Sequence, residues 1–204
     1  DVEGVQSDRP LEAVGEGAPE NIPQGTVILD IAGKFVTPGL IDTHSHMGVY
    51  AIPYVSAHSD GNEATNPVTA EIWAEHSFWP QDPAIFRALG GGITTIQVLP
   101  GSANLIGGRS YVAHLQPKIS ARQMRFPGAP QGLKMACGEN PKRVYKSKGR
   151  SPSTRMGNIA QMRITFQKAR EYMKRWQTYE RDLQHWQATN HLNPEKQDDP
   201  PALP

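Results

Sequence analysis

Two histidines one residue apart, His44 and His46, close the stretch Pro-Gly-Leu-Ile-Asp-Thr-His-Ser-His-Met-Gly over residues 38–48. In an extended chain, residues two apart point to the same face, so the two imidazoles stand side by side. Neutral imidazole is a common ligand for divalent cations, and zinc takes such nitrogens at roughly 2.0 to 2.1 Å. Two histidines that merely fall close together on a surface loop are the plainer alternative for an isolated His-x-His. Context favours the metal here. The pair ends an apolar run and precedes a glycine and a long irregular segment, as where a buried parallel strand opens onto a site at its C-terminal end.

The elements that must hold this pair can be read outward from it. Thr26 to Ile31 is β-branched and apolar, and after Ala-Gly-Lys the pattern resumes at Phe35–Thr37, which predicts a small hairpin. Leu40 to Met47 reads as the buried strand. Residues 48–80 form a long excursion rich in Pro, Asn and Ser, with a short helical piece around Thr69 to His76; loops of this length are commonly functional. Asp82-Pro83 supplies a cap and a first-turn proline for a helix over Ala84 to Leu89, which Gly90-Gly91-Gly92 ends. Ile93 to Leu99 is a strand closed by Pro100-Gly101, and Leu133 to Cys137 is a third, beyond another irregular stretch. Strands separated by helices predict a parallel α/β sheet or barrel.

The C-terminal part differs in character. Between about Asn158 and Gln187 the apolar positions Ile159, Met162, Phe166, Ala169, Met173, Trp176 and Leu183 recur at spacings of three and four. That is a long amphipathic helix. The tail from residue 191 is polar and proline-rich. The expected segments are therefore 1–37, 38–150, 151–190 and 191–204.

Bulk properties narrow the partners. A net charge of +1 with 20% charged residues gives no electrostatic reason to expect nucleic acid. The single cysteine, Cys137, excludes an internal disulfide framework and is most simply a small buried apolar residue. No apolar run reaches the roughly 18 to 20 residues of a membrane span, and the first residues lack the pattern of a signal peptide. The chain reads as soluble, with its compartment open.

The string Gly-Lys-Phe-Val-Thr-Pro-Gly-Leu-Ile-Asp-Thr-His-Ser-His, residues 33–46, resembles the entry to the first barrel strand of the metal-dependent amidohydrolase superfamily, in its imidazolonepropionase-like branch. Gly91-Gly92-Ile93-Thr94-Thr95, Leu99 to Leu105 and Gly138-Glu139-Asn140-Pro141-Lys142-Arg143 are similar to later segments. The resemblance runs from about residue 11 to 190 and is strongest over 33–145. It implies a (β/α)8 barrel with a small flanking β-sandwich, of which residues 1–37 would be a remnant. It also implies hydrolysis of carbon–nitrogen bonds in a small amide or cyclic amide, with one or two divalent ions, zinc first among them. In that reading His44 and His46 hold the more buried metal. A further ligand in the family is a carboxylated lysine or a glutamate ending the third strand. Glu139 fits the second, whereas Lys134 lies near the start of its strand and is expected deep or on the wrong side. The plain alternative for Glu139 is a helix or turn residue pairing weakly with Lys142 and Arg143.

A divalent cation lowers the pKa of its water from roughly 15.7 to about 7 and polarises the scissile carbonyl. In the family two more histidines and a proton-shuttling aspartate end later strands, and none is identifiable here. A whole barrel needs about 250 residues, so an N-terminal portion of a longer enzyme is expected. The missing half of the barrel, or another copy, would then pack on the long helix. The rival reading is a non-catalytic assembly module acting through that helix, whose Trp176, Tyr179 and Trp186 are otherwise packing residues.

Other candidates are weaker. His58, Asp60, Glu63 and Asn66 follow the first strand and are candidates to line a substrate pocket. Gly107-Gly108-Arg109 is either a holder for an anionic substrate group or a turn. The basic run from Lys142 to Arg150 reads as a solvated loop rather than a nucleic-acid contact.

Overall fold

The apolar run after Pro38-Gly39 forms strand β1, Leu40–Ser45, and the β-branched run after the three glycines forms β2, Ile93–Val98. They pair in parallel, with Leu40 opposite Ile93, Asp42 opposite Ile96 and Ser45 opposite Val98, as strands joined through a helix should. This computed structural model describes residues 24–25, 31–192 and 199–204. The chain divides into two units, Asp1–Pro38 and Gly39–Pro204. In the first, the turn after Ile31 is present: Lys34 N donates to Ile31 O at 2.9 Å. Residues 26–30 of the expected hairpin run Thr26 to Ile31 lie outside the described residues. Phe35 to Thr37 are not part of any described strand.

The second unit begins with β1 and carries the site. Helix α1, Pro83–Gly90, starts as its sequence predicts, with Asp82 Oδ1 accepting from Ala84 N at 2.9 Å and Pro83 in the first turn. Asp82 is fully buried and also accepts from Gly48 N at 2.8 Å and Ile52 N at 3.3 Å. One carboxylate thus caps a helix and ties down the loop that follows the histidine pair. Gly92, at φ 86°, turns the chain from the helix into β2 in a conformation that side chains resist. Of the helical piece expected around Thr69 to His76 only a 3-10 turn at Ala74–Ser77 forms, and a second, unexpected 3-10 turn lies at Ser56–His58.

The stretch between β2 and the third predicted strand, expected to be irregular, contains two strands: β3, Ile106–Arg109, and β4, Tyr111–His114. β4 pairs antiparallel with β2, giving a three-stranded sheet in the order β1-β2-β4. After a single helical turn, α2 at Ala121–Met124, comes β5, Leu133–Met135. Here the parallel expectation needs correction, because β5 pairs antiparallel with β3 in a sheet of its own. The cause is local. Ile-Gly-Gly-Arg reads as a turn, yet Gly108 sits at φ 116°, and a Cβ there would come within 2.6 Å of Ile72 O. The two glycines let the excursion pass close enough for Arg109 N to donate to Ile72 O at 2.7 Å.

The core gathers Ile85 of α1, Ile96 and Val98 of β2, Tyr111 and Ala113 of β4, and Val49, Phe78, Leu115 and Met124 around them. β1 is an edge strand whose Leu40 and Ile41 are 59% and 67% exposed. Helix α3, Glu139–Ser147, follows β5, and α4 runs over Arg155–Leu192. Thr154 Oγ1 accepts from Gly157 N at 3.1 Å at the start of α4. Asn158, buried, donates to the carbonyls of Cys137 and Gly138 at 2.9 and 3.1 Å. Most of the apolar stripe of α4 is nevertheless uncovered: Ile159, Phe166 and Met173 are all exposed. Cys137 is exposed too, against the expectation of a buried residue.

Candidate metal centre

The histidine pair stands where β1 ends beside β2. His44 is the penultimate residue of β1 and His46 lies just past it. Their rings are neighbours, with centroids 5.4 Å apart and planes at 89°. Leu99, the residue after β2, binds this end of β1 twice: its N donates to Ser45 O at 2.9 Å, and its O lies 2.8 Å from His46 Nδ1. A carbonyl can only accept, so Nδ1 carries the proton and the neutral ring presents a bare Nε2 lone pair. Backbone carbonyls fix metal-binding histidines in this way.

His44 shows its Nε2 to a cation already. Lys134 Nζ of β5 lies 3.4 Å from it. This corrects the expectation that Lys134 is deep or misdirected. Pairing with β3 in a separate sheet turns the residue toward β1. Burial pulls the Lys134 amine below the ordinary lysine range. The two imidazole nitrogens would supply only part of the ligand set that a divalent ion takes.

Glu139 is not brought to this pair. It opens α3, is exposed, and its carboxylate takes Lys142 Nζ at 2.9 Å. That hydrogen bond first, and the charge of Lys142 next, hold its pKa below the usual glutamate value. Among the described residues no three His, Cys, Asp or Glu side chains converge as a metal-binding group.

The two substrate-loop candidates have other company. The His58 ring lies 4.5 Å from that of Trp79, and its Nδ1 is buried with no hydrogen-bond partner among the described residues. Arg109 lays its guanidinium over Trp73 at 4.7 Å and reaches Gln131 at 3.5 Å, which suits a packing role better than anion capture. Asp60 and Glu63 line a separate cavity with Glu71, Trp73 and His76. Asn66 O accepts from Tyr145 OH at 2.5 Å.

Residues that the motif reading passed over surround His46 instead. The Tyr50 ring meets it edge-on at 5.7 Å, and Tyr50 OH donates to Asn62 Oδ1 at 2.8 Å. Asn62 Nδ2 donates to Asn104 Oδ1 at 3.0 Å, and Asn104, fully buried, donates to the carbonyls of Glu63 and Asn66 at 2.6 and 2.8 Å. The sequence signal for this chain of bonds was glycine. A Cβ on Gly101 would lie 2.1 Å from Asn62 Oδ1, and one on Gly61 would lie 2.3 Å from the Tyr50 ring.

Comparison with known proteins bears on this geometry directly. A solved amidohydrolase from Thermotoga maritima superposes with a TM-score of 0.74 at 45% identity, over 82% of this chain and 43% of that one. The amidohydrolase tasK of Hapsidospora irregularis is 37% identical over 163 residues, 76% of this chain and 17% of that protein. This chain belongs to the amidohydrolase superfamily. The chain is also similar to an imidazolonepropionase of Alkaliphilus metalliredigens, 29% identical over 108 residues, 45% of this chain and 26% of that protein. No protein-family model matches the chain. The chain spans less than half the length of each of these superfamily relatives. No helix among the described residues is long and apolar enough to cross a membrane.

Proposed function

We propose that this chain supplies the metal-holding part of an amidohydrolase that cleaves a carbon–nitrogen bond of a small amide or cyclic amide. The single observation that carries the reading is the adjacent His44 and His46 at the end of a parallel strand, with His46 Nδ1 fixed on the Leu99 carbonyl. β1, α1 and β2 are read as the opening of a (β/α)8 barrel, since side chains at the C-terminal ends of its strands form the active face. A divalent ion, zinc first among candidates, supplies Lewis acidity and a water acidic enough to act at neutral pH. The protein's own part is positional. Leu99 O sets the His46 tautomer, and the Tyr50 ring braces His46 from the side.

The third ligand has two candidates. Glu139 is the strand-exit carboxylate of the sequence reading. Lys134 is favoured by its distance of 3.4 Å from His44 Nε2, and would ligate as the carbamate formed when its amine adds carbon dioxide and releases a proton. The remaining strands of the barrel, or a second copy, would cover the exposed stripe of α4. If instead α4 serves only assembly, added metal will produce no amide hydrolysis in any preparation containing this chain.

The test is metal content. Purified protein equilibrated with zinc and analysed by elemental mass spectrometry should hold about one ion per chain. His44→Ala and His46→Ala should each lose it, and unchanged content in both would end the assignment. The same measurement on Lys134→Ala and Glu139→Ala decides the third ligand.

A further inference from the structure

We propose that residues 166–183 of α4 pair antiparallel with the same segment of a second copy of this chain, as a two-helix coiled coil. The pairing concerns α4 alone and does not depend on the metal assignment. Phe166, Ala169, Met173, Trp176, Glu180 and Leu183 follow one another at alternating steps of three and four, and Ile159 and Met162 extend the same repeat toward the start of the helix. Two helices packed side by side along a continuous seam require that repeat. Among the described residues nothing covers the seam. Phe166 and Met173 are exposed, and the tail residues Pro201 and Ala202 share a groove with Arg175, Thr178 and Asp182, on the opposite side of the helix.

The order of the seam residues selects the partner. About a two-fold axis between Lys174 and Arg175 the segment is complementary to itself, with Phe166 against Leu183, Ala169 against Glu180 and Met173 against Trp176. Glu180 is the one charged residue of the seam, and in a parallel pair it would face its own copy, like charge on like charge. In the antiparallel pair it meets Ala169, the smallest seam side chain, and lies beside the partner's Arg170. A single polar seam position fixes register in this way. Among the described residues neither Arg170 nor Glu180 forms an ion pair, whereas Glu171, on the outer face, already accepts from Gln167 Nε2 at 2.9 Å. Charge along the helix agrees. Arg155 to Arg175 contains six Lys or Arg and one Glu, while Glu180 and Asp182 lie beyond it. A parallel pair stacks the basic half on itself, and the antiparallel one sets it beside the acidic residues. An anionic membrane suits the helix less well, because Ile164, 47% exposed, lies on the far side from Phe166.

Sedimentation of the purified protein tests the pairing. It should give dimers with a Kd of about 10 µM or tighter. Met173→Lys, at the centre of the seam, should weaken the dimer at least about tenfold, and Ile164→Lys, on the far side, should leave it unchanged. Circular dichroism should show both variants as helical as the wild type. Glu180→Lys and Arg170→Glu should each weaken the dimer about tenfold, and the two together should restore it to within about threefold of the wild type. Only the antiparallel register predicts that recovery, since within one helix, or across a parallel pair, the two positions are about 15 Å apart. A protein that stays monomeric overturns the proposal and leaves the face to the rest of the barrel. A dimer indifferent to M173K, or one that the paired exchange fails to recover, overturns it as well. None of these substitutions touches His44 or His46, so zinc content stands or falls separately.

Discussion

A single buried carboxylate decides much of the local order around the histidine pair. Asp82 accepts three backbone N–H groups, from Ala84 at the head of α1 and from Gly48 and Ile52 in the loop just after His46. Removing it leaves all three donors without that partner in a region where Asp82 itself is fully buried. Asp82→Ala should cost about 3 kcal/mol, combining a lost helix cap with unsatisfied buried donors. Asp82→Asn, which keeps one acceptor oxygen, should cost less. Urea denaturation of the two variants beside the wild type checks both the size and the order. The cap itself was legible, because Asp-Pro before a helical segment is a local signal. The two bonds to residues 48 and 52 were not, because they join positions 34 and 30 apart in sequence.

At the scale of elements, legibility followed the length of the pattern. β1, α1, β2 and α4 each carry enough consecutive apolar or β-branched positions, or a clear boundary, to be read directly. β3 and β4 are four residues each, and two glycines hide the first of them. Their pairing also explains the misplaced expectation for Lys134: its strand joined a neighbour that had not been anticipated, so its direction was wrong. Glu139 shows the converse, since a carboxylate just past a strand looks like a site residue, although here it begins a helix and pairs with Lys142. The join between β4 and α2 gives a test with pH. Tyr111 is buried on β4 and donates its hydroxyl to Ala121 O at 2.5 Å, and burial, the largest cause, pushes its pKa well up. A raised pKa means that the folded state keeps a proton which the unfolded chain gives up near pH 10. Its contribution is then complete below about pH 10 and falls as pH rises further. Tyr111→Phe should therefore lose stability at neutral pH and show a shallower decline between about pH 9.5 and 11. Unfolding free energies measured across that range would decide it, and a decline as steep as in the wild type would remove Tyr111 as a contributor.

For the whole molecule, the distribution of exposed apolar surface carries the argument. Leu40 and Ile41 on the edge strand, and Ile159, Ile164, Phe166 and Met173 on α4, are all between 47% and 67% exposed. Scattered apolar residues on a surface need no explanation, but a stripe repeated along one helix marks a face that some partner covers. Such side chains contribute little to the fold of the chain that bears them. The double variant Phe166→Gln, Met173→Gln should therefore change unfolding free energy by less than about 0.5 kcal/mol. The same variant should bind markedly less of a hydrophobic dye and sediment with less self-association than the wild type. A large loss of stability would instead mean that the α4 stripe is core to this chain, and the proposed docking of further barrel strands or of a second copy against it would fall.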